Sequence, residues 1–504
     1  MSRLTLQEAA TAMRARLTLS DAHRGRVTGD SEVGGYSIDS RTLKTGDLFF
    51  AIVGPRVDGH DYARQAAEQG AAAVVVAKGG PGRYPEAPAV LRVDDTTQAL
   101  QDLGGHVRRR RPLKVIGITG SAGKTTAKEM TGAVLDRRFT VHRSEGNLNN
   151  AWGLPLTLLR MADACDAAVL EMGMSYKGEI ARLAEIADPD VGVILNVLPV
   201  HLEHFASIAG IAAAKGELFR GLRRDAVAVY NADDARVARL GRAFKGERLA
   251  YGITARRADV GADEIVSLGL KGTRFTLRHG KSRAPVRLGI PGRHHVYNAL
   301  AAAATGFACG LDASDIAAGL AQVRPAAMRG VLHRRQDGAE ILDDSYNSNP
   351  AAMERAIELL AETTPRGRRI LAAGDMLELG PVSARAHTRI GALAARAGID
   401  LLVAVGPLSQ KMAAAASQKR PARVAASSGS GGRRRAAAPT PATQVRHFDT
   451  SEEGAAWLAS EVRPGDLVLV KGSRGIRMER VVRALLGDSG PSVGSAAHNA
   501  PGEH

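Results

Sequence analysis

Gly120 and Gly123 bracket Ser121 and Ala122 and run straight into Lys124, Thr125 and Thr126. Glycines let a backbone curl without Cβ clashes, and the free N–H groups of a following helix start attract anions. A lysine there reaches outer phosphates, and a threonine hydroxyl can ligate Mg²⁺. The loop is shorter than the common P-loop, whose first glycine would fall on Ile118. Val115, Ile116 and Ile118 ahead of it predict a core strand, so strand, turn and helix signals agree on polyphosphate binding over a chance glycine turn. Glu171 closes the apolar run Ala167 to Leu170. A carboxylate that ends a strand of a parallel sheet faces the ligand crevice, which makes Glu171 a candidate Mg²⁺ ligand. His201, Glu203 and His204 follow in a later loop. Their His-x-x-His spacing lacks third and fourth ligands close by, which argues against zinc. Lys215, in the apolar stretch IAAAKGELF, reads in isolation as a solvated helix lysine.

Other polar groups stand at expected turns. Ser40 and Arg41 suit a pyrophosphate or, equally, a surface ion pair, and with His60 they are expected to be exposed. Asn147, Asn149 and Asn150 precede an apolar helix and could read hydroxyls and carbonyls of a ligand, or simply cap that helix. Asp343 and Asp344 end a strand, and Asn347-Ser348-Asn349-Pro350 turns into a helix. Asp375 and Glu378, and Lys471, Gly472, Ser473 and Arg474, follow two further strands of the same kind.

Positioning these groups takes more than one core. At about 150 residues per domain, 504 residues predict about three domains. Strands alternating with helices predict an α/β chain. Residues 1–111 form a small α/β domain in which segments around Ser37–Arg41 and Gly46–Ala51 are two strands around a turn. Residues 112–324 form a central P-loop ATPase-type domain with a parallel sheet, and 325–487 a doubly wound, Rossmann-like domain. The run Arg108 to Arg111 before Pro112 reads as a hinge. A low-complexity segment at about 413–443 is expected to be a disordered insertion and 488–504 a flexible tail. The formal charge of +16 invites nucleic acid, but aromatics make up only 4% and none interleave with the basic runs as a stacking platform needs. Two distant cysteines and the lack of a long apolar run predict a cytoplasmic protein without a transmembrane segment.

In this order TGSAGKTT, GNLNNAWGLPLTLL, EMGMS, HLE with AKGELF, DDSYNSNP, GDMLELG and VLVKGSR resemble the Mur ligase superfamily of ATP-dependent amide-forming enzymes. The resemblance spans almost the whole chain and leans to the branch that joins D-alanyl-D-alanine to a UDP-N-acetylmuramoyl-tripeptide in peptidoglycan synthesis. It implies ATP and Mg²⁺ as cofactors, an acyl-phosphate intermediate, a monomer, and no nucleic-acid partner. It also implies that Gly120 to Thr126 hold the ATP phosphates, with Thr125, Glu171, His201 and a carbamylated Lys215 at the metal, which inverts the isolated reading of that lysine. Asn298 would face the adenine, Arg329 the γ-phosphate and Asp344 the ribose. Ser40 and Arg41 would lie near the uridine diphosphate, Asn147, Asn149 and Asn150 near the muramoyl-peptide, and Asn347 and Asn349 near the dipeptide. Leu198 and His204 depart from the small residues expected around the histidine loop. The alternatives are the sister ligase that adds the third amino acid, whose Asp-Asn-Pro-Arg motif gives way here to GDMLELG, a folylpolyglutamate synthase, and a nucleic-acid-stimulated P-loop ATPase.

Overall fold

The computed structural model describes residues 4–23, 27–79, 84, 86–199, 203, 205, 207–418 and 442–487. Among them the strands form three sheets of five, nine and six. The first contains β1 (Arg16–Leu19), β2 (Gly35–Ser37), β3 (Asp47–Phe50), β4 (Ala73–Ala77) and β5 (Ala89–Val93), in the order β1-β5-β4-β3-β2. Its two-sided burial explains the near-continuous apolar run of β4. β2 and β3 pair in parallel, and β2 stops at Ser37, short of the expected Arg41.

The second sheet comprises β6 (Lys114–Thr119), β7 (Val141–Arg143), β8 (Ala167–Glu171), β9 (Val191–Ile194), β10 (Val227–Asn231), β11 (Glu247–Gly252), β12 (Val260–Ser267), β13 (Thr273–His279) and β14 (Ser282–Leu288). Its order is β14-β13-β12-β11-β10-β9-β6-β8-β7. Parallel pairing extends only from β7 to β12, and β13 and β14 continue antiparallel. The central sheet is therefore mixed and not parallel throughout. The reason is legible in β14, whose alternate residues Ala284, Val286 and Leu288 are buried while the others face solvent, the pattern of a one-faced antiparallel strand.

The third sheet joins β15 (Val331–Arg334), β16 (Glu340–Asp343), β17 (Arg369–Gly374), β18 (Leu401–Val405), β19 (Gln444–Phe448) and β20 (Leu467–Lys471), in the order β15-β16-β20-β17-β18-β19. Only β15 is antiparallel to its neighbour, and apolar clusters cover both faces.

Two joints differ from expectation. Arg108 and Arg109 form the last turn of the helix Thr96–Arg109, and Arg108 is only 7% exposed. Its guanidinium donates to the carbonyls of Ala187 (2.9 Å) and Asp188 (3.0 Å), so the basic run is locked to the next unit and is not a loose hinge. Trp152, Leu156 and Leu159 pack into the core of the first sheet, so that core crosses the expected boundary at residue 112. The predicted insertion also starts too early. Ala413 and Ala416 lie buried in the helix Gln410–Ser417, where small side chains permit an approach so close that a Cβ on Gly391 would come within 2.0 Å of the Met412 carbonyl oxygen. Alanine-rich composition here reflects tight packing. The rest of that segment, 419–441, and the tail 488–504 lie outside the described residues.

Candidate active site

β6 is buried along all but its first residue and delivers the chain to the phosphate loop at a fixed height. Gly123 takes φ +82°, and a Cβ there would stand 2.6 Å from Asn298 Oδ1, so both the turn and the approach of Asn298 require glycine. Asn196 pins the loop. Its backbone carbonyl accepts from Ser121 N–H (3.1 Å), and its side chain accepts from Ala122 N–H and donates to Ala122 O, each at 2.9 Å. The helix Lys124–Leu135 then begins without a side-chain cap, leaving its positive end for an anion. Lys124 folds back onto Gly120 O at 3.1 Å. Burial lowers its pKa, Arg329 adds to that, and Glu171 and Glu378 oppose it. Third-sheet charges therefore act at the phosphate loop.

Glu171 is 3% exposed and receives Thr125 Oγ1 on Oε2 (2.9 Å) and Asn149 Nδ2 on Oε1 (2.8 Å). Thr126 is half-buried in the same turn. Among the described residues no three His, Cys, Asp or Glu side chains converge, so the carboxylate is accompanied by a hydroxyl and an amide. Lys215, 2% exposed, is not the solvated lysine that its helix position suggested. Burial, reinforced by Lys124, drives its pKa well below the usual lysine range. Among the described residues no carboxylate pairs with it. His201 and His204 lie outside the described residues.

Several candidates have structural partners. Asn150 Oδ1 accepts from Trp152 N (3.2 Å) and Gly153 N (2.9 Å), and Asn149 N–H reaches Asn147 O at 2.7 Å. Of these three asparagine side chains, only that of Asn149 bonds the Glu171 carboxylate. Asn349 is the N-cap of the helix Pro350–Glu362, accepting from Ala352 N at 2.9 Å, and Asn347 Oδ1 accepts from Ser348 N at 2.7 Å. Ser40 and His60 are buried, contrary to expectation. Ser40 donates to Gln65, while His60 bridges Asp58 and Ala77 N–H and knits the first sheet together. Arg41 is exposed and paired with Asp39 at 2.7 Å.

Facing the loop, Arg329 lies over the Tyr346 ring, 4.1 Å from its centroid, beside Met328 at φ +60°. Asp344 is held by the buried Lys471, whose Nζ donates to Asp344 Oδ2 (2.7 Å) and Asn347 O (3.0 Å). Ser473 joins three loops of the third sheet through Asp375 O, Leu377 N and Ser348 O. The Lys-Gly-Ser-Arg run that ends β20 was visible as polar residues at a strand end, but the partner of Lys471 lies 127 positions away. Between the second and third sheets lies a cavity of about 250 Å³, walled by Gly292, His294 and Tyr297 on one side and Arg355 and Glu358 on the other. Neighbouring His295 has its pKa pushed down to about 4 by burial, with Arg355 and Lys471 assisting and Asp344 opposing.

This chain is 36% identical over 452 residues to UDP-N-acetylmuramoyl-tripeptide--D-alanyl-D-alanine ligase of Bacillus subtilis, covering 90% of this chain and 93% of that protein. The chain belongs to the Mur ligase family. Three family descriptions match this Mur ligase in order: the family's catalytic domain at residues 32–108, the middle domain at 118–306 and the glutamate ligase domain at 328–474. The crystal structure of MurF from Acinetobacter baumannii superposes with a TM-score of 0.82 at 30% identity, covering 97% of this chain and 99% of that one. MurF from Thermotoga maritima, solved in complex with ADP, gives 0.75 at 27% identity over 90% of this chain and 98% of that one.

Proposed function

We propose that this Mur ligase joins D-alanyl-D-alanine to UDP-N-acetylmuramoyl-tripeptide at the expense of ATP, acting as a monomer in the cytoplasm and giving the pentapeptide precursor of peptidoglycan. The observation that carries the reading is the end-to-end similarity to ligases of that name, with a phosphate loop, a buried carboxylate and a buried lysine meeting at one edge of the central sheet.

The reaction follows from the charges. A carboxylate is a poor electrophile, so the tripeptide's terminal carboxylate attacks the γ-phosphorus of ATP, ADP leaves, and an acyl phosphate forms. The free amine of D-alanyl-D-alanine attacks that carbonyl, and phosphate departs from the tetrahedral intermediate as the new amide forms. Lys124 and Arg329 lie where charge on the transferred phosphoryl group is neutralised, and the uncapped helix start binds the neighbouring phosphates. Asn298 and the adjoining cavity suit the base, and the Lys471-held Asp344 suits the ribose. Ser40 and Arg41 border the uridine diphosphate. Asn147, Asn149 and Asn150 border the muramoyl-peptide, and Asn347 and Asn349 frame the dipeptide. Between those two, the buried Ser348 hydroxyl has no partner among the described residues, which supports a polar ligand there.

The residues present fit Mg²⁺. Glu171 offers a buried carboxylate with the Thr125 hydroxyl beside it. Lys215, buried without a counter-charge among the described residues and shifted toward its neutral amine, is suited to add CO₂ and release a proton, becoming a carbamate. The family resemblance adds His201, which lies outside the described residues, as a further ligand. Bound there, Mg²⁺ would supply charge neutralisation for the polyphosphate.

Mass spectrometry of a reaction containing the UDP-muramoyl-tripeptide, D-alanyl-D-alanine and ATP tests the reading. Product heavier by the dipeptide less water should appear, with ADP and phosphate in equal amounts. Phosphate release that ignores both acceptors and answers to DNA or RNA would sink it.

A further inference from the structure

Lys128 stands one turn beyond Lys124 on the phosphate-loop helix, yet its side chain is 2% exposed. An ammonium so deeply buried is expensive to desolvate, and removing it is costly for stability when its partner is left buried and unpaired. Its ion-pair partner is Glu129, at 3.1 Å and itself 32% exposed, which can turn to water if the pair is broken. The second contact is more informative. Lys128 Nζ donates to the backbone carbonyl of Ser144, the first residue after β7. Ser144 is 2% exposed. Its N–H donates to Val169 O at 3.1 Å, and its Oγ accepts the backbone N–H of Glu171 at 3.2 Å. Five residues on, Asn149 donates its side-chain amide to Glu171 Oε1 and accepts Gly173 N–H on its backbone carbonyl, both at 2.8 Å.

We infer that Lys128 is a positioning residue for the metal carboxylate: it ties the phosphate-loop helix to the 144–150 loop, and that loop grips Glu171 from its backbone through Ser144 and from its carboxylate through Asn149. One rigid helix thus carries Thr125 on one Glu171 oxygen and, through Lys128, aligns the donor to the other. This rests on Glu171 being a metal ligand, as proposed above. Outer groups that orient a ligand change metal affinity by roughly 10- to 100-fold when lost, whereas a group that only supports the fold changes melting temperature alone.

The test is Mn²⁺ binding by electron paramagnetic resonance, with a non-hydrolysable ATP analogue present, in the unsubstituted protein, Lys128→Met and Ser144→Ala, with melting temperatures on the same samples. The dissociation constant should rise by roughly tenfold or more in Lys128→Met, and in the same direction in Ser144→Ala. Normal binding by the unsubstituted protein together with an unchanged constant in folded Lys128→Met overturns the inference alone. Should Lys128→Met fail to fold, an unchanged constant in Ser144→Ala overturns it. Absence of Mn²⁺ binding to the unsubstituted protein overturns the metal-site reading and the inference with it.

Discussion

Lys215 is where chemistry and burial conflict most sharply. A 2%-exposed amine beside Lys124, without a carboxylate among the described residues, is poorly placed to stay protonated. Lys215→Ala should abolish turnover, and small carboxylates such as acetate or formate should restore part of it. Full activity of the unsubstituted protein in bicarbonate-free buffer, with no rescue of the variant, would contradict carbamylation. Lys124→Met should lower kcat by roughly 100-fold or more, the scale for losing one group that stabilises transition-state charge. Steady-state kinetics with saturating ATP decides that point. His295 supplies the pH signature. Its folded pKa of about 4 lies below the ordinary 6.5, so between those values the unfolded chain binds a proton that the folded one refuses. Stability from this group is intact above about 6.5 and falls as pH drops toward 4. Melting curves should show His295→Gln losing less stability than the unsubstituted protein between pH 7 and 5.

Helix starts and strand ends divide the asparagines by task. Asn349 caps the helix Pro350–Glu362, and losing such a cap costs about 1 kcal/mol. Asn349→Ala should therefore lower the unfolding free energy by that amount, read from chemical denaturation. A separate rise in KM for D-alanyl-D-alanine would show that Asn349 also meets the dipeptide, as its place beside Ser348 suggests. Asn149 is different, because its side chain spans from a loop to the carboxylate that ends β8. The phosphate loop has a conformational test of its own. Gly123→Ala must adopt φ +82° and push Asn298 Oδ1 from 2.6 Å, so binding of a fluorescent ATP analogue should be lost while the fold survives.

The second and third sheets meet where the nucleotide is expected. Arg329 and Glu378 from the third unit act on Lys124 in the second, and Lys471 holds Asp344 toward His295. Closure of the third unit over the phosphate loop would exclude water that otherwise hydrolyses an acyl phosphate. If substrate release requires this unit to swing away, small-angle scattering should show a more extended protein alone and compaction with nucleotide and UDP-muramoyl-tripeptide together. Identical radii of gyration would refute closure. Lys471→Met, which frees Asp344 without touching the phosphate loop, should raise KM for ATP more than it lowers kcat.

Local order was legible wherever neighbours in the chain decide the structure. The apolar run of β6, the glycine turn and the helix beginning at Lys124 are contiguous, so their chemistry could be read from Val115 to Met130. The strand-end position of Glu171 followed from the apolar run before it in the same way. Contacts between distant segments were not legible. Lys215 reads as a surface lysine until packing buries it, and Arg108 as part of a charge run until it meets Ala187 and Asp188. Ser144 carries no signal of its own, and Lys471 signals only a polar strand end, since their partners come from distant segments. The sequence alone determined which segments become strand, turn and helix at the phosphate site, because propensity and periodicity act over a few residues. Only the tertiary structure decided which charges are stripped of water and which carboxylates are held, because desolvation and pairing depend on what the rest of the chain brings beside them.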